Sequence, residues 1–167
     1  MTLWVAHSGG SLVREPYALE NACVVTVWEN LPDPTGMKSV DELRSLMSAH
    51  YTRAGQPAID SWARQLWRFI HAMKAGDFVV MPRVEAKAYA VGIVKGSYEY
   101  KIDAPPECRH THPVQWIEKC LPRSAIEEDM YYSFKAHISF YEVTRNNIES
   151  RLIRKLGTSF ASDVPQQ

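Results

Sequence analysis

The chain has 167 residues, 19 basic and 19 acidic side chains and a formal net charge of zero, with 46% apolar residues. That is the composition of one folded domain with a real core and argues against a disordered chain. It also removes any ligand held by bulk charge alone, so a nucleic-acid role must rest on a local basic face and a specific pocket. No apolar run approaches the roughly 18 residues that cross a bilayer. Met1–Gly10 has neither the basic start nor the long apolar stretch of a secretory signal. Three cysteines, Cys23, Cys108 and Cys120, are too few for a disulfide scaffold, which fits a reducing, cytoplasmic setting.

In chain order, Leu3–Ser8 is short and apolar and Gly9-Gly10 breaks it. Ser11 is placed to cap a short helix through Tyr17–Glu20. Ala22–Trp28 is rich in β-branched residues and reads as a buried strand, and Leu31–Gly36, with two prolines and a glycine, as a loop. Ser39 and Glu42 have the spacing of a capping box, predicting a helix to about Tyr51 that Gly55 stops. Pro57 suits a first helical turn. From there Ile59, Trp62, Ala63, Leu66, Phe69, Ile70 and Met73 repeat with the period of one buried helix face, which Gly76 ends.

The period then changes. Asp77–Met81, Lys87–Lys95, Ser97–Lys101 and His112–Glu118 read as strands, with Gly92 and Gly96 marking a bulge or bend. Pro122 opens a short helix over Ser124–Tyr131. His137–Val143 is the last strand and Asn147–Leu156 the last helix. Helices ahead of a run of strands predict an α+β fold with a curved, mostly antiparallel sheet or small barrel. The domain is expected over 1–156, with 157–167 as linker or chain end.

Three chemistries are weighed. Asp77 with Glu85-Ala-Lys87 matches the acid and acid-x-lysine spacing of metal-dependent nucleases, in which two carboxylates hold a cation and a lysine stands near the attacking water. Glu85, however, falls in a polar turn between strands. Cys108, His110 and His112 alternate and would share a strand face, but the fourth ligand and the usual zinc spacings are missing, with only Cys120 as a distant candidate. The sequence holds no nucleophile elbow and no glycine-rich phosphate loop, so no cofactor is expected.

The aromatic residues carry more information. Trp62, Phe69 and Trp116 fit the core on periodicity. Trp28 instead ends a strand and is followed at once by Glu29-Asn30 and the proline-rich loop, while Tyr98 and Tyr100 share one face of a strand after the Gly96 bend. Strand ends and bends are where a fold opens a pocket, and aromatic walls with a polar group at their edge are how proteins hold an extruded base. Arg64 and Arg68, four apart on one helix, point the same way and are candidates for flanking phosphates, although for either residue alone a solvated helix surface is the better reading.

Trp62–Met81, with its helix, M-K-A-G-D turn and apolar strand, resembles EVE domains of the PUA-like superfamily, and Tyr89–Val94 resembles the strand that follows there. Val25–Trp28 resembles the strand that ends in a cage tryptophan in the related YTH domains, and His112–Ser124 their late strand and helix start. The stretch from Trp28 to Phe140 is similar to the N-terminal module of Mrr-type modification-dependent restriction endonucleases.

The resemblance implies a PUA-like pseudo-barrel that binds one flipped, modified base and performs no catalysis itself. It places Trp28 as the cage tryptophan and Asn30 as a polar edge reader. Ser61 and Trp62 match the start of the helix bordering the pocket, and Tyr98 and Tyr100 the second aromatic wall. YTH domains carry a tryptophan at that wall, and the Gly-Val-Arg-Asn run of typical EVE domains is replaced here by Ile59-Asp60-Ser61-Trp62. The implied partner is DNA carrying a methylated or hydroxymethylated base, with a nuclease domain covalently linked. A reader of modified RNA, a nuclease using Asp77, Glu85 and Lys87, and a protein-interaction domain remain the alternatives.

Overall fold

The computed structural model describes residues 1–163 of the chain, and side chains through Gly157. Seven strands, β1 (Leu3–Ala6), β2 (Cys23–Val25), β3 (Phe78–Arg83), β4 (Ala88–Val94), β5 (Glu99–Tyr100), β6 (His110–Pro122) and β7 (Phe140–Val143), form one sheet. Five helices accompany it: α1 (Arg14–Glu20), α2 (Val40–His50), α3 (Gln56–His71), α4 (Glu128–Phe134) and α5 (Ile148–Asp163). The sheet curls strongly into a half-barrel flanked by helices.

The strand order is β2-β6-β4-β3-β1-β7, and every pairing is antiparallel except β1 with β3. The long β6 joins β2 and β5 to the rest of the sheet. On one edge its start pairs with β2, Pro113 opposite Cys23. On the other it pairs with β4 from Val114 to Pro122 and with β5 at His110 and Thr111. The α+β class and curved, mostly antiparallel sheet expected from the sequence are what the molecule has.

Alternation of side chains explains why both faces are covered. Trp4, Ala6 and Val79 point to one face, where they pack with α2 and α3. Leu3, Val5, Phe78 and Val80 point to the other, where Met130 and Phe134 of α4 and Ile148 and Leu152 of α5 cover them. Strands buried on both sides read as unbroken apolar runs rather than alternating ones. In α3 Ile59, Ala63, Leu66 and Phe69 are all buried, the face that the periodicity marks. At the start of α2 Ser39 Oγ accepts the Glu42 N–H at 3.2 Å, and the Glu42 carboxylate accepts the N–H of Lys38.

Several boundaries differ from expectation. β2 ends at Val25 rather than Trp28, β6 spans His110–Pro122 rather than His112–Glu118, β7 begins at Phe140 rather than His137, and the short helix is α4, Glu128–Phe134, rather than Ser124–Tyr131. α3 stops at His71 rather than at Gly76, because the Asp77 carboxylate accepts the Lys74 N–H at 3.1 Å and draws the chain out of the helix early. Gly76, at φ +94°, serves the turn into β3 instead. The β5 strand is only two residues long. In α5 the backbone leaves helical geometry at Gly157 (φ 73°). The end of the expected linker, residues 164–167, lies outside the described residues.

α4 and α5 are tied together by Arg151, which donates to both oxygens of Asp129 at 2.6 and 2.9 Å. This pairing holds the Asp129 carboxyl well below the usual carboxylate range. Among the described residues no helix is long and apolar enough to cross a membrane.

Candidate functional site

Trp28 follows the end of β2 and turns inward, only 5% exposed. Its segment is clamped from α1 by Arg14, a buried guanidinium. Arg14 donates through Nη2 to the Val27 carbonyl at 3.0 Å, through Nη1 to the Ser8 carbonyl at 3.2 Å and through Nε to the Glu107 carbonyl at 3.1 Å. Glu29 lies 3.6 Å from the same Nη2. Gly9 lets the guanidinium in. Its φ is +69°, and a Cβ there would sit 3.0 Å from Arg14 Nη1.

The Trp28 indole forms one wall of a narrow hollow shared with Phe69 of α3 and Phe140 of β7, and closed by His7, Thr26 and Ser139. Phe69 and Phe140 meet edge to face with centroids 5.2 Å apart, and Trp4 stacks on the far side of Phe140 at 4.9 Å. The hollow is too tight to admit a water molecule. Two of its lining residues carry polar atoms, Thr26 Oγ1 and His7 Nε2, that are buried without a hydrogen-bond partner among the described residues. Burial lowers the His7 pKa, and nearby His137 lowers it further, so the ring is held neutral near pH 7.

The residues singled out in the sequence fall around this hollow unevenly. Ser61 accepts the side-chain amide of Gln65 at 3.0 Å, and the Gln65 carbonyl accepts the Phe140 N–H at 3.0 Å, so Ser61 reaches the Phe140 wall through one intermediary. Arg68 donates to Glu142 at 2.8 Å and lies 4.9 Å from the centre of the Trp4 ring, which commits its charge to the protein. Arg64 is exposed on α3. Trp62 packs edge-on against Tyr51, whose hydroxyl donates to the Glu29 carbonyl at 2.9 Å. Asn30 is exposed, in the left-handed region at φ +61°, where it turns the chain out of the Trp28 segment.

Tyr98 and Tyr100 both border His110, with ring centroids 6.1 and 5.2 Å from it. Tyr98 also touches Phe69 edge-on at 6.1 Å, so Phe69 contacts both the Trp28 hollow and the first of the two tyrosines. His7, Thr26 and Phe140 escaped the sequence reading. Thr26 was findable, because it lies two residues before Trp28 in the same β-branched run. His7 follows β1 and Phe140 begins β7, two strands whose pairing no local pattern announces.

The expected alternatives meet definite geometry. The Asp77 carboxylate accepts Thr2 N–H at 3.1 Å, Trp4 Nε1–H at 3.0 Å and Lys74 N–H at 3.1 Å, and is 2% exposed. Glu85 lies past the opposite end of β3. A six-residue strand spans about 20 Å, so Asp77 and Glu85 do not share a cation. His110 and His112 spend their ring nitrogens on Tyr98 Oη and the carbonyls of Leu31, Gly96 and Phe69. Cys108 sits in a 3-10 turn, buried in the cluster that holds Cys23. Among the described residues no three His, Cys, Asp or Glu side chains are placed to hold a metal ion. Burial raises the Cys108 thiol and pushes that of Cys23 up to about 11, the opposite of an activated nucleophile.

The sequence profile of a family described as a domain of unknown function, DUF8426, matches residues 7–143. The chain belongs to the DUF8426 family. The match takes in both His7 and Phe140, and every residue lining the hollow beside Trp28 except Ala6 falls within it. No curated protein matches the sequence.

Proposed function

We propose that this DUF8426 domain is a PUA-like base-recognition module, a reader of modified DNA that seats one extruded base against Trp28 and leaves cleavage to a linked nuclease domain. The observation that carries this reading is the pair of polar atoms, Thr26 Oγ1 and His7 Nε2, unpartnered among the described residues, on two side chains that line a hollow with Trp28, Phe69 and Phe140. An orphaned buried polar atom costs about 1–3 kcal/mol. A flat heterocycle with donors and acceptors on its edge would recover that cost and stack on the rings at the same time. Entry requires the Trp28 indole or the Ser139 segment to move outward. Each methyl group on the base adds about 0.8 kcal/mol of apolar burial, enough for roughly fourfold preference over the unmodified base.

The test is fluorescence anisotropy at one stated salt concentration, with duplexes carrying methylated or hydroxymethylated bases against the plain duplex and against methylated RNA. Modified DNA is expected to bind several-fold more tightly, and Trp28→Ala to lose that preference. Thr26→Val is the sharper variant because it keeps the side-chain shape. It should raise stability by about 1 kcal/mol, by removing a buried hydroxyl that has no partner, while weakening the preference. Equal affinity for every duplex, or a Thr26→Val variant that keeps the preference, overturns the proposal. Preference for RNA would move the ligand from DNA to RNA.

A further inference from the structure

A second cavity, of about 130 Å³, opens beside the first, and His7 lines both. Its walls include Arg83, Tyr89, Arg123, Tyr131 and Lys135, and among the described residues no carboxylate lines it. Arg83 is neutralised by Glu15, 2.6 Å away. Arg123 and Lys135 are not: among the described residues neither has a carboxylate within ion-pair distance. Both instead lie against one ring, Arg123 Cζ 5.4 Å and Lys135 Nζ 5.1 Å from the Tyr131 centroid. Two like charges gathered on a single aromatic repel each other, and an anion between them reverses the sign of that interaction. The Arg123 side chain hydrogen-bonds Tyr89, but its Nε is buried and has no hydrogen-bond partner among the described residues. A guanidinium nitrogen can only donate, so what it lacks is an acceptor.

We infer that this cavity is a phosphoryl-binding pocket serving the ligand whose base occupies the hollow beside Trp28. The inference takes its ligand class from the base-recognition reading and adds the backbone contact. Arg64 and Arg68 were the phosphate candidates in the sequence, but Arg68 is spent on Glu142 and Trp4, whereas Arg123 and Lys135 remain unneutralised. The size fits: 130 Å³ is about four water volumes of ~30 Å³, room for a tetrahedral oxyanion. The placement fits as well. In a nucleotide the base and phosphate are joined through one sugar, and here the two cavities share one lining residue, His7. The phosphoryl group comes either from the nucleic-acid backbone or from a free nucleotide.

The experiment measures binding of the full chain to a mixed-sequence duplex across a salt series, and to adenosine monophosphate, for the parent, Lys135→Gln, Arg123→Gln and a control, Lys119→Gln. Lys135 is exposed, so its variant should fold even where Arg123→Gln does not. Lys135→Gln and Arg123→Gln are each expected to weaken duplex binding about fivefold at low salt. They should also flatten the slope of log K against log salt by about 0.9, one phosphate contact, with Lys119→Gln matching the parent. If the duplex is unaffected and adenosine monophosphate binding falls, the pocket stands and its source is a free nucleotide. If neither ligand responds to either variant, the inference is overturned. A flattened slope in Lys135→Gln beside an unchanged base preference in Thr26→Val would keep the phosphate pocket and reject the base hollow.

Discussion

Tyr98 donates its phenolic hydrogen to Nδ1 of His110 across 2.6 Å. The direction follows from the other side of the ring, where His110 Nε2 lies 2.9 Å from the Leu31 carbonyl, an acceptor only, so Nε2 carries the proton and Nδ1 must accept. The residue expected to wall a base pocket thus anchors the proline-rich loop that follows Trp28. His110 is the link between β6, Tyr98 and that loop, and it performs this role as a neutral ring.

Stability should therefore fall with acidity through the histidine range. Desolvation lowers the His110 pKa to about 4, and burial lowers those of His112 and His7 too. With the folded value depressed, the unfolded chain binds the extra proton between about pH 6.5 and 4. The neutral ring's contribution is complete above 6.5 and is lost as pH drops toward 4. For His110, which is 2% exposed, the loss is roughly 3 kcal/mol. Urea midpoints measured from pH 7.5 to 4.5 should decline, and His110→Gln should flatten the decline while lowering the midpoint at pH 7.5. A curve of the parent that is level over this range would refute the assignment.

Gly92 should tolerate no side chain. A Cβ there would stand 2.5 Å from Val114 Cγ1 and 2.7 Å from the Gln115 carbonyl oxygen. The β4–β6 register also shifts beside it, between Val91 and Gly92. Trp116 crosses at this point to donate its indole N–H to the Ala18 carbonyl at 2.9 Å, which ties α1 to the sheet. Because a backbone oxygen cannot step aside as a side chain does, Gly92→Ala is expected to cost about 3 kcal/mol, the upper end for overpacking. Gly10→Ala, with open space around it, should cost nothing measurable. Denaturant unfolding of the two variants decides this.

The Gly92 bulge, the capping box of α2 and the apolar face of α3 were legible because each is written in neighbouring residues. What local pattern does not carry is long-range partnership. Nothing near Arg14 says that it is buried, since its acceptors are the carbonyls of Ser8, Val27 and Glu107. His110 and His112 read as metal candidates because alternation shows a shared strand but not the carbonyls opposite. Asp77 read as an acid for catalysis because its partners, Thr2 and Trp4, lie more than 70 residues earlier.

That difference at Asp77 is measurable. The carboxylate accepts three N–H groups through two oxygens, and an asparagine would turn an amide donor toward at least one of them. Asp77→Asn is expected to destabilise the fold by about 1–3 kcal/mol, whereas Glu85→Ala, exposed in the β3–β4 turn, should leave stability within about 0.5 kcal/mol. A nuclease site would give the opposite signature: both variants fold normally and both lose cation-dependent cleavage. Thermal unfolding together with a cleavage assay separates the cases.

Arg14 offers a test of whether the Trp28 segment is held in place or merely adjacent. Its guanidinium donates to three separate chain segments, a geometry that the single ammonium of lysine cannot reproduce. Arg14→Lys keeps the charge near Glu29 but releases at least one of the Ser8, Val27 and Glu107 carbonyls. It should cost about 2 kcal/mol, the range for a hydrogen bond to a charged group. The effect should be local, because these three carbonyls belong to loops while the strands they flank keep their own ladder bonds. Hydrogen exchange is expected to accelerate at Val27–Asn30 and His7–Gly10 and to stay at parent rates in β3 and β4. If the base hollow opens by movement of Trp28, the same variant should bind the modified duplex faster, since the clamp opposing that movement is weakened. Uniformly faster exchange across the whole sheet would instead mean that Arg14 supports the fold globally and does not gate the hollow.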